Sequence, residues 1–235
     1  MIIRNFFFYL GLIPVTIFFA IAGLLFCFLP YRGRYYLITR WSHFFIFWAK
    51  VTCGLRYHIQ GLDQLPKEPV VILSNHQSMW ETIFMQVILP PQTWILKRQL
   101  LNIPVFGWGL RLLKPIAIDR TQRHSVNQLL TEGKKRLEQG IWVVIFPEGT
   151  RVAPNTHHRF SRSGAALAEA AQVPVVPLAH NAGSFWPRGY SIKKPGTIKV
   201  EIGEPIYPQD KDAQTINNEA EQWIREQLRL LQSTV

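Results

Sequence analysis

Ser74-Asn75-His76-Gln77-Ser78-Met79-Trp80-Glu81 follows one apolar run and precedes another. An imidazole with a carboxylate five residues on can do proton-transfer chemistry. Histidine titrates near neutrality, and a carboxylate can fix its tautomer and stabilise the imidazolium. The same stretch also has a purely local explanation. Ser78-Met79-Trp80-Glu81 fits Ser-x-x-Glu, the capping box that closes a helix N-terminus. A cap accounts for Glu81 but not for His76. A second polar loop is Phe146-Pro147-Glu148-Gly149-Thr150-Arg151. Gly149 lets backbone approach a ligand closely, and Arg151 offers a planar fork to phosphate. Turn chemistry and a solvated Glu148–Arg151 pair explain that loop as well. There is no Walker loop and no Gly-x-Gly-x-x-Gly, so a nucleotide is not the indicated anion. Ser78 lacks the Gly-x-Ser-x-Gly setting of a serine nucleophile. His157-His158 has no third ligand at a suitable spacing, so no metal site is expected.

Such loops need strands to end on. From residue 55 onward, short β-branched runs recur at 69–73, 93–96, 115–118, 141–146, 174–178 and 197–202. Helical stretches lie between most of them, at 122–139, 162–172 and 212–232 among others. This alternation predicts an α/β fold, a mostly parallel central sheet flanked by helices, over a single domain 55–235. Both polar loops then fall beyond C-terminal strand ends, where sites gather in open sheets.

The first quarter of the chain is different. Residues 6–29 carry no charge, and as a helix they would rise about 36 Å against a hydrocarbon core of roughly 30 Å. Pro30-Tyr31-Arg32 follows them in place of a small-residue cleavage site. In the next segment Arg40, His43 and Lys50 fall within about 80° on a helical wheel, which predicts an interfacial amphipathic helix rather than a second span. Residues 1–54 are thus expected to be membrane-associated helices, either a hairpin dipped into one leaflet or one span with a surface helix. Residues 1–60 hold six basic residues and no acidic one, and the whole chain carries +11. With this much Phe, Leu and Ile, that charge points to membrane lipids and not to nucleic acid. The two cysteines, Cys27 and Cys53, read as small buried apolar residues with no disulfide framework.

Four blocks in this order resemble the glycerolipid acyltransferases, and within them the bacterial 1-acyl-sn-glycerol-3-phosphate acyltransferases. Asn75-His76 through Glu81 is similar to the family's His-x-x-x-x-Asp block. Lys97-Arg98-Gln99-Leu100 with Ile103-Pro104-Val105-Phe106-Gly107-Trp108 is similar to the second, Phe146 through Arg151 matches the third, and Val173-Pro174-Val175-Val176-Pro177 the fourth. The resemblance spans about residues 55–210. It implies transfer of an acyl chain from acyl-CoA or acyl carrier protein to the sn-2 hydroxyl of lysophosphatidic acid, without cofactor, at the cytoplasmic face of a bacterial inner membrane. It implies His76 and Glu81 as the catalytic pair. Lys97, Arg98, Glu148, Gly149, Thr150 and Arg151 become the substrate-binding set, and 173–177 part of an apolar acyl site. The family usually has aspartate where this chain has Glu81. Acylation of another lysolipid and a membrane-anchored thioesterase are the alternatives.

Overall fold

The computed structural model describes residues 2–103, 106–118, 125–156, 158–189 and 193–232. Parts of the second block, Pro104 and Val105, and His157 lie outside the described residues. Among the described residues the seven strands are β1 (Leu55–Gln60), β2 (Val71–Ser74), β3 (Gln92–Lys97), β4 (Ile116–Ile118), β5 (Trp142–Ile145), β6 (Val175–His180) and β7 (Gly196–Ile202). The α-helices among the described residues are α1 (Ile2–Leu25), α2 (Tyr31–Cys53), α3 (Trp80–Ile88), α4 (Phe106–Leu112), α5 (Ser125–Glu138), α6 (Ser163–Ala171), α7 (Ala182–Phe185) and α8 (Ala213–Gln232).

The sheet order is β1-β7-β6-β2-β5-β3-β4. β6, β2, β5, β3 and β4 run parallel, while β7 pairs antiparallel with β6 and parallel with β1. Every residue of β2, β5 and β6 is buried. Helices cover both faces of these central strands, so they read as unbroken apolar runs instead of alternating. One face carries Leu129 and Leu137 of α5, Ala165 and Leu167 of α6, and Ile216, Ala220 and Ile224 of α8. The repeated four-residue steps in α5 and α8 are the apolar stripe of an amphipathic helix.

The other face is covered by α3 and by α2, and α1 packs on α2. Tyr35, Thr39, Ser42, Ile46, Ala49 and Cys53 form a buried stripe on α2, while Arg40, His43 and Lys50 are exposed as their wheel positions predict. The two helices meet closely at Gly11, where a Cβ would come within 2.6 Å of the Trp48 ring. Trp48 Nε1 donates to the Phe8 carbonyl and Trp41 Nε1 to the Thr16 hydroxyl. Phe8 and Leu12 belong to the same apolar cluster as Phe84, Trp142 and Val176. The outer face of α1 is bare. Phe6, Phe7, Leu10, Ile13, Ile17 and Phe18 are all exposed, and among the described residues α1 is the one helix long and apolar enough to cross a membrane.

Cys53 is buried as expected, but Cys27 is exposed, because it sits in the turn between α1 and α2 and not on a packed face. β1 lacks the apolar run that marks the other strands. It is an edge strand that buries only Leu55, so its solvent-facing residues hide its pairing from a periodicity test.

Candidate active site

β2 lies between β6 and β5, so the C-terminal ends of these three strands converge. The stretch 75–79 leaves β2, 146–152 leaves β5, and His180 ends β6. His76 is held at three points. Its Nδ1–H donates to Glu81 Oε1 at 2.9 Å, its backbone N–H to Glu148 Oε2 at 2.8 Å, and its carbonyl accepts the Val152 N–H at 2.7 Å. The Phe146 ring stacks on the imidazole with centroids 4.1 Å apart and planes at 19°. Nδ1 is thus occupied and Nε2 is left for chemistry, on a side chain still 19% exposed beside a carboxylate that is 1% exposed.

Glu81 also closes the helix. The same Oε1 accepts the Gln77 N–H at 2.9 Å and the Ser78 N–H at 2.7 Å, and Ser78 Oγ accepts the Trp80 N–H at 3.2 Å. Cap and dyad are therefore one carboxylate oxygen. Burial alone would raise the Glu81 carboxyl. His180 when protonated, His76 and the Ser78 N–H outweigh it and hold the group below the ordinary carboxylate range. The carboxylate beside the His76 imidazole is thus held in its ionised form. Glu148 goes the other way, because burial pushes its carboxyl up to about 7 against the pull of the His76 N–H.

A cleft of about 540 Å³ opens at His76. Ile95, Ile118, Leu129, Ile145 and Phe160 make its walls apolar, while His158, Arg159 and Arg162 bring polar and basic groups. Gly149 lies in this lining with φ near 70°, a conformation that favours glycine.

A family model described as acyltransferase matches residues 56–181, more than half of the chain. The chain belongs to the acyltransferase family. It is 46% identical over 203 residues to the 1-acyl-sn-glycerol-3-phosphate acyltransferase of Pseudomonas aeruginosa, covering 84% of this chain and 79% of that one. The enzyme of the same name from Saccharomyces cerevisiae is 29% identical over 76% of this chain, which spans only 60% of that longer protein. The crystal structure of the Thermotoga maritima 1-acyl-sn-glycerophosphate (LPA) acyltransferase, PlsC, superposes with a TM-score of 0.82. It covers 98% of this chain and 95% of its own at 21% identity, which speaks to the fold.

In this acyltransferase the longer Glu81 reaches the imidazole with ordinary hydrogen-bond geometry. Of the predicted substrate-binding residues, Glu148 and Gly149 line the cleft, with Glu148 turned inward onto His76. Lys97 and Arg98 stand exposed at the end of β3, Thr150 is exposed and Arg151 partly so; none of the four lines the cleft. The fourth block is the start of buried β6 and does not line it either. What it delivers is His180, which the sequence reading passed over. Asn75 Nδ2 donates to the His180 carbonyl and Asn75 Oδ1 accepts the His180 N–H, across 105 positions of sequence. Phe146 was legible as part of the third block, but its stacking on His76 was not.

Proposed function

We propose that this acyltransferase moves a fatty acyl chain from an acyl thioester, acyl-CoA or acyl carrier protein, to the free sn-2 hydroxyl of 1-acyl-sn-glycerol-3-phosphate, giving phosphatidic acid. The observation that carries the reading is the His76–Glu81 contact at the mouth of an apolar cleft, in a chain 46% identical to a protein of that name. His76 Nε2 takes the hydroxyl proton as the alcohol oxygen attacks the thioester carbonyl carbon. The tetrahedral oxyanion collapses, the C–S bond breaks, and the imidazolium returns the proton to the leaving thiolate. No acyl-enzyme forms. Glu81 stabilises the imidazolium, and general base catalysis of this kind supplies about 10²–10⁴-fold. The backbone of the 146–151 loop, which enters the cleft beside His76, is the candidate source of N–H donors for the oxyanion.

Lys97 and Arg151 hold the acceptor phosphate, with Arg98 assisting. Arg151 makes no ion pair among the described residues, which leaves its fork open for a phosphate. The apolar walls of the cleft suit an acyl chain. Donor and acceptor are amphiphiles, and the bare face of α1 seats the enzyme in the bilayer, at the cytoplasmic side of a bacterial inner membrane where acyl thioesters are made.

Membranes containing the full chain, given long-chain acyl-CoA or acyl carrier protein with a panel of lysolipids, test this. Phosphatidic acid formed fastest from lysophosphatidic acid is the expected result. Preference for a larger headgroup would replace the acceptor, and free fatty acid released without any acceptor would replace transfer by hydrolysis.

A further inference from the structure

His180 ends β6 with no exposed surface, directly behind the dyad. Both of its ring nitrogens are engaged. Nε2–H donates to the Asn75 carbonyl at 2.9 Å, and Nδ1 accepts the Ala182 N–H at 3.3 Å. A nitrogen that accepts an N–H carries no proton, so these partners define a neutral ring. Burial also holds this histidine below its ordinary range, against the pull of Glu81. The Asn75 side chain exchanges two further bonds with the His180 backbone, each 3.0 Å. The residue just before His76 is thus pinned by three hydrogen bonds to a single residue of the neighbouring strand. His180 Nε2 stands 3.9 Å from Glu81 Oε1, the oxygen that holds His76.

We propose that His180, joined to Asn75, is a positioning residue of the acyl-transfer site. It sets the turn that aims the His76 imidazole at Glu81, and it places a neutral N–H dipole beside the carboxylate. The inference rests on the reading of His76 as the base. Neutrality is what the position requires. An imidazolium at 3.9 Å would compete with His76 for the same oxygen and lessen the preference of Glu81 for the imidazolium formed in the reaction. An alanine or leucine there would leave the Ala182 N–H buried without a partner and the Asn75 carbonyl with only the 3.2 Å bond from Ser74 Oγ. The titratable groups facing the knot are His76 on its own loop, Glu81 from α3 and Glu148 from the loop after β5, with Arg225 of α8 acting on Glu148 from beyond.

The test compares wild type, His76→Ala, His180→Phe, His180→Gln and Asn75→Ser in the same membranes. Phosphatidic acid formation from acyl-CoA and lysophosphatidic acid is followed from acid to alkaline pH. Phe keeps the ring shape but makes neither hydrogen bond. His180→Phe should lower kcat about 10- to 100-fold, the size expected when a catalytic group loses its orienting hydrogen bonds, with both KM values little changed. A weaker grip of Glu81 on His76 should also move the acid limb of the pH profile to lower pH. Gln can donate to Asn75 and accept from Ala182, so His180→Gln should recover most of the rate and the wild-type limb. A purely structural role would reduce the number of active sites and leave the limb in place, and that result overturns the proposal. Asn75→Ser must move the limb in the same direction, which decides the matter even if His180→Phe does not fold. Full activity in His76→Ala would overturn the base reading itself. An inactive His76→Ala beside unaltered His180→Phe would overturn only the positioning role.

Discussion

Glu81 gathers three N–H donors on Oε1, while Oε2 is buried with no partner. Glutamine can present its carbonyl oxygen to the same three donors, so Glu81→Gln keeps the cap and removes only the charge. The expected outcome is a modest fall in melting temperature, since the buried charge favours the fold and the new NH2 finds no partner where Oε2 stood, with kcat lowered about 10²–10⁴-fold, as for other dyads stripped of their carboxylate charge. A near-normal rate would reduce Glu81 to a cap. Glu81→Asp withdraws the oxygen by about 1.5 Å, so it cannot keep both the imidazole and the Ser78 N–H within reach. That variant should lose rate and melting temperature together. Glu148 gives a pH-dependent signature. Its folded pKa is raised to about 7 from 4.5, so its contribution favours folding in acid and is lost as pH rises through about 7. Glu148→Gln can still accept the His76 N–H but does not titrate. Its melting temperature should match wild type below about pH 4.5, gain on it as pH rises to about 7, and hold a constant lead above that. A constant difference across pH would contradict the assignment.

The elements show why some of this was readable and some was not. β2, β5 and β6 announce themselves as apolar runs because each is buried on both faces. The stripes of α5 and α8 are equally plain. His76 and Glu81 were found because both lie in one short loop and the first turn of its helix. His180 was not, since its partnership with Asn75 is made across 105 residues and depends on β6 lying beside β2. A histidine at the end of a buried strand has no local signature. The Glu148–His76 bond is hidden in the same way, spanning 72 positions between adjacent strand ends. The hairpin of α1 and α2 adds a test at this scale. Gly11→Leu places side-chain atoms where the Trp48 ring already sits. It should destabilise the fold by about 1–3 kcal/mol, the usual cost of overpacking, read as a lower melting temperature in detergent. No change would mean that α1 and α2 do not meet as closely as described.

Across the whole molecule, the membrane segment and the catalytic sheet share one apolar cluster. Phe8 contacts Phe45 and Trp186, and Phe45 stacks on Trp186 at 5.5 Å. Lys193 is clasped at the same junction, with Nζ bonded to Asn5 Oδ1 at 2.9 Å and lying over the Phe8 and Trp186 rings. Removing residues 1–25 should therefore expose Phe45 and Trp186 and cost folding, not merely membrane attachment; a stable, active, soluble remainder would contradict this. The outer face of α1 stays exposed and apolar, so a single helix packs on the core on one side and offers a face long and apolar enough for a bilayer on the other. The most direct test of the account is the rate of phosphatidic acid formation in membranes holding equal amounts of wild type or His76→Ala. Loss of about 10³-fold or more is predicted for removal of the base and its orienting pair. A mutant within about tenfold of wild type would mean that another group takes the proton.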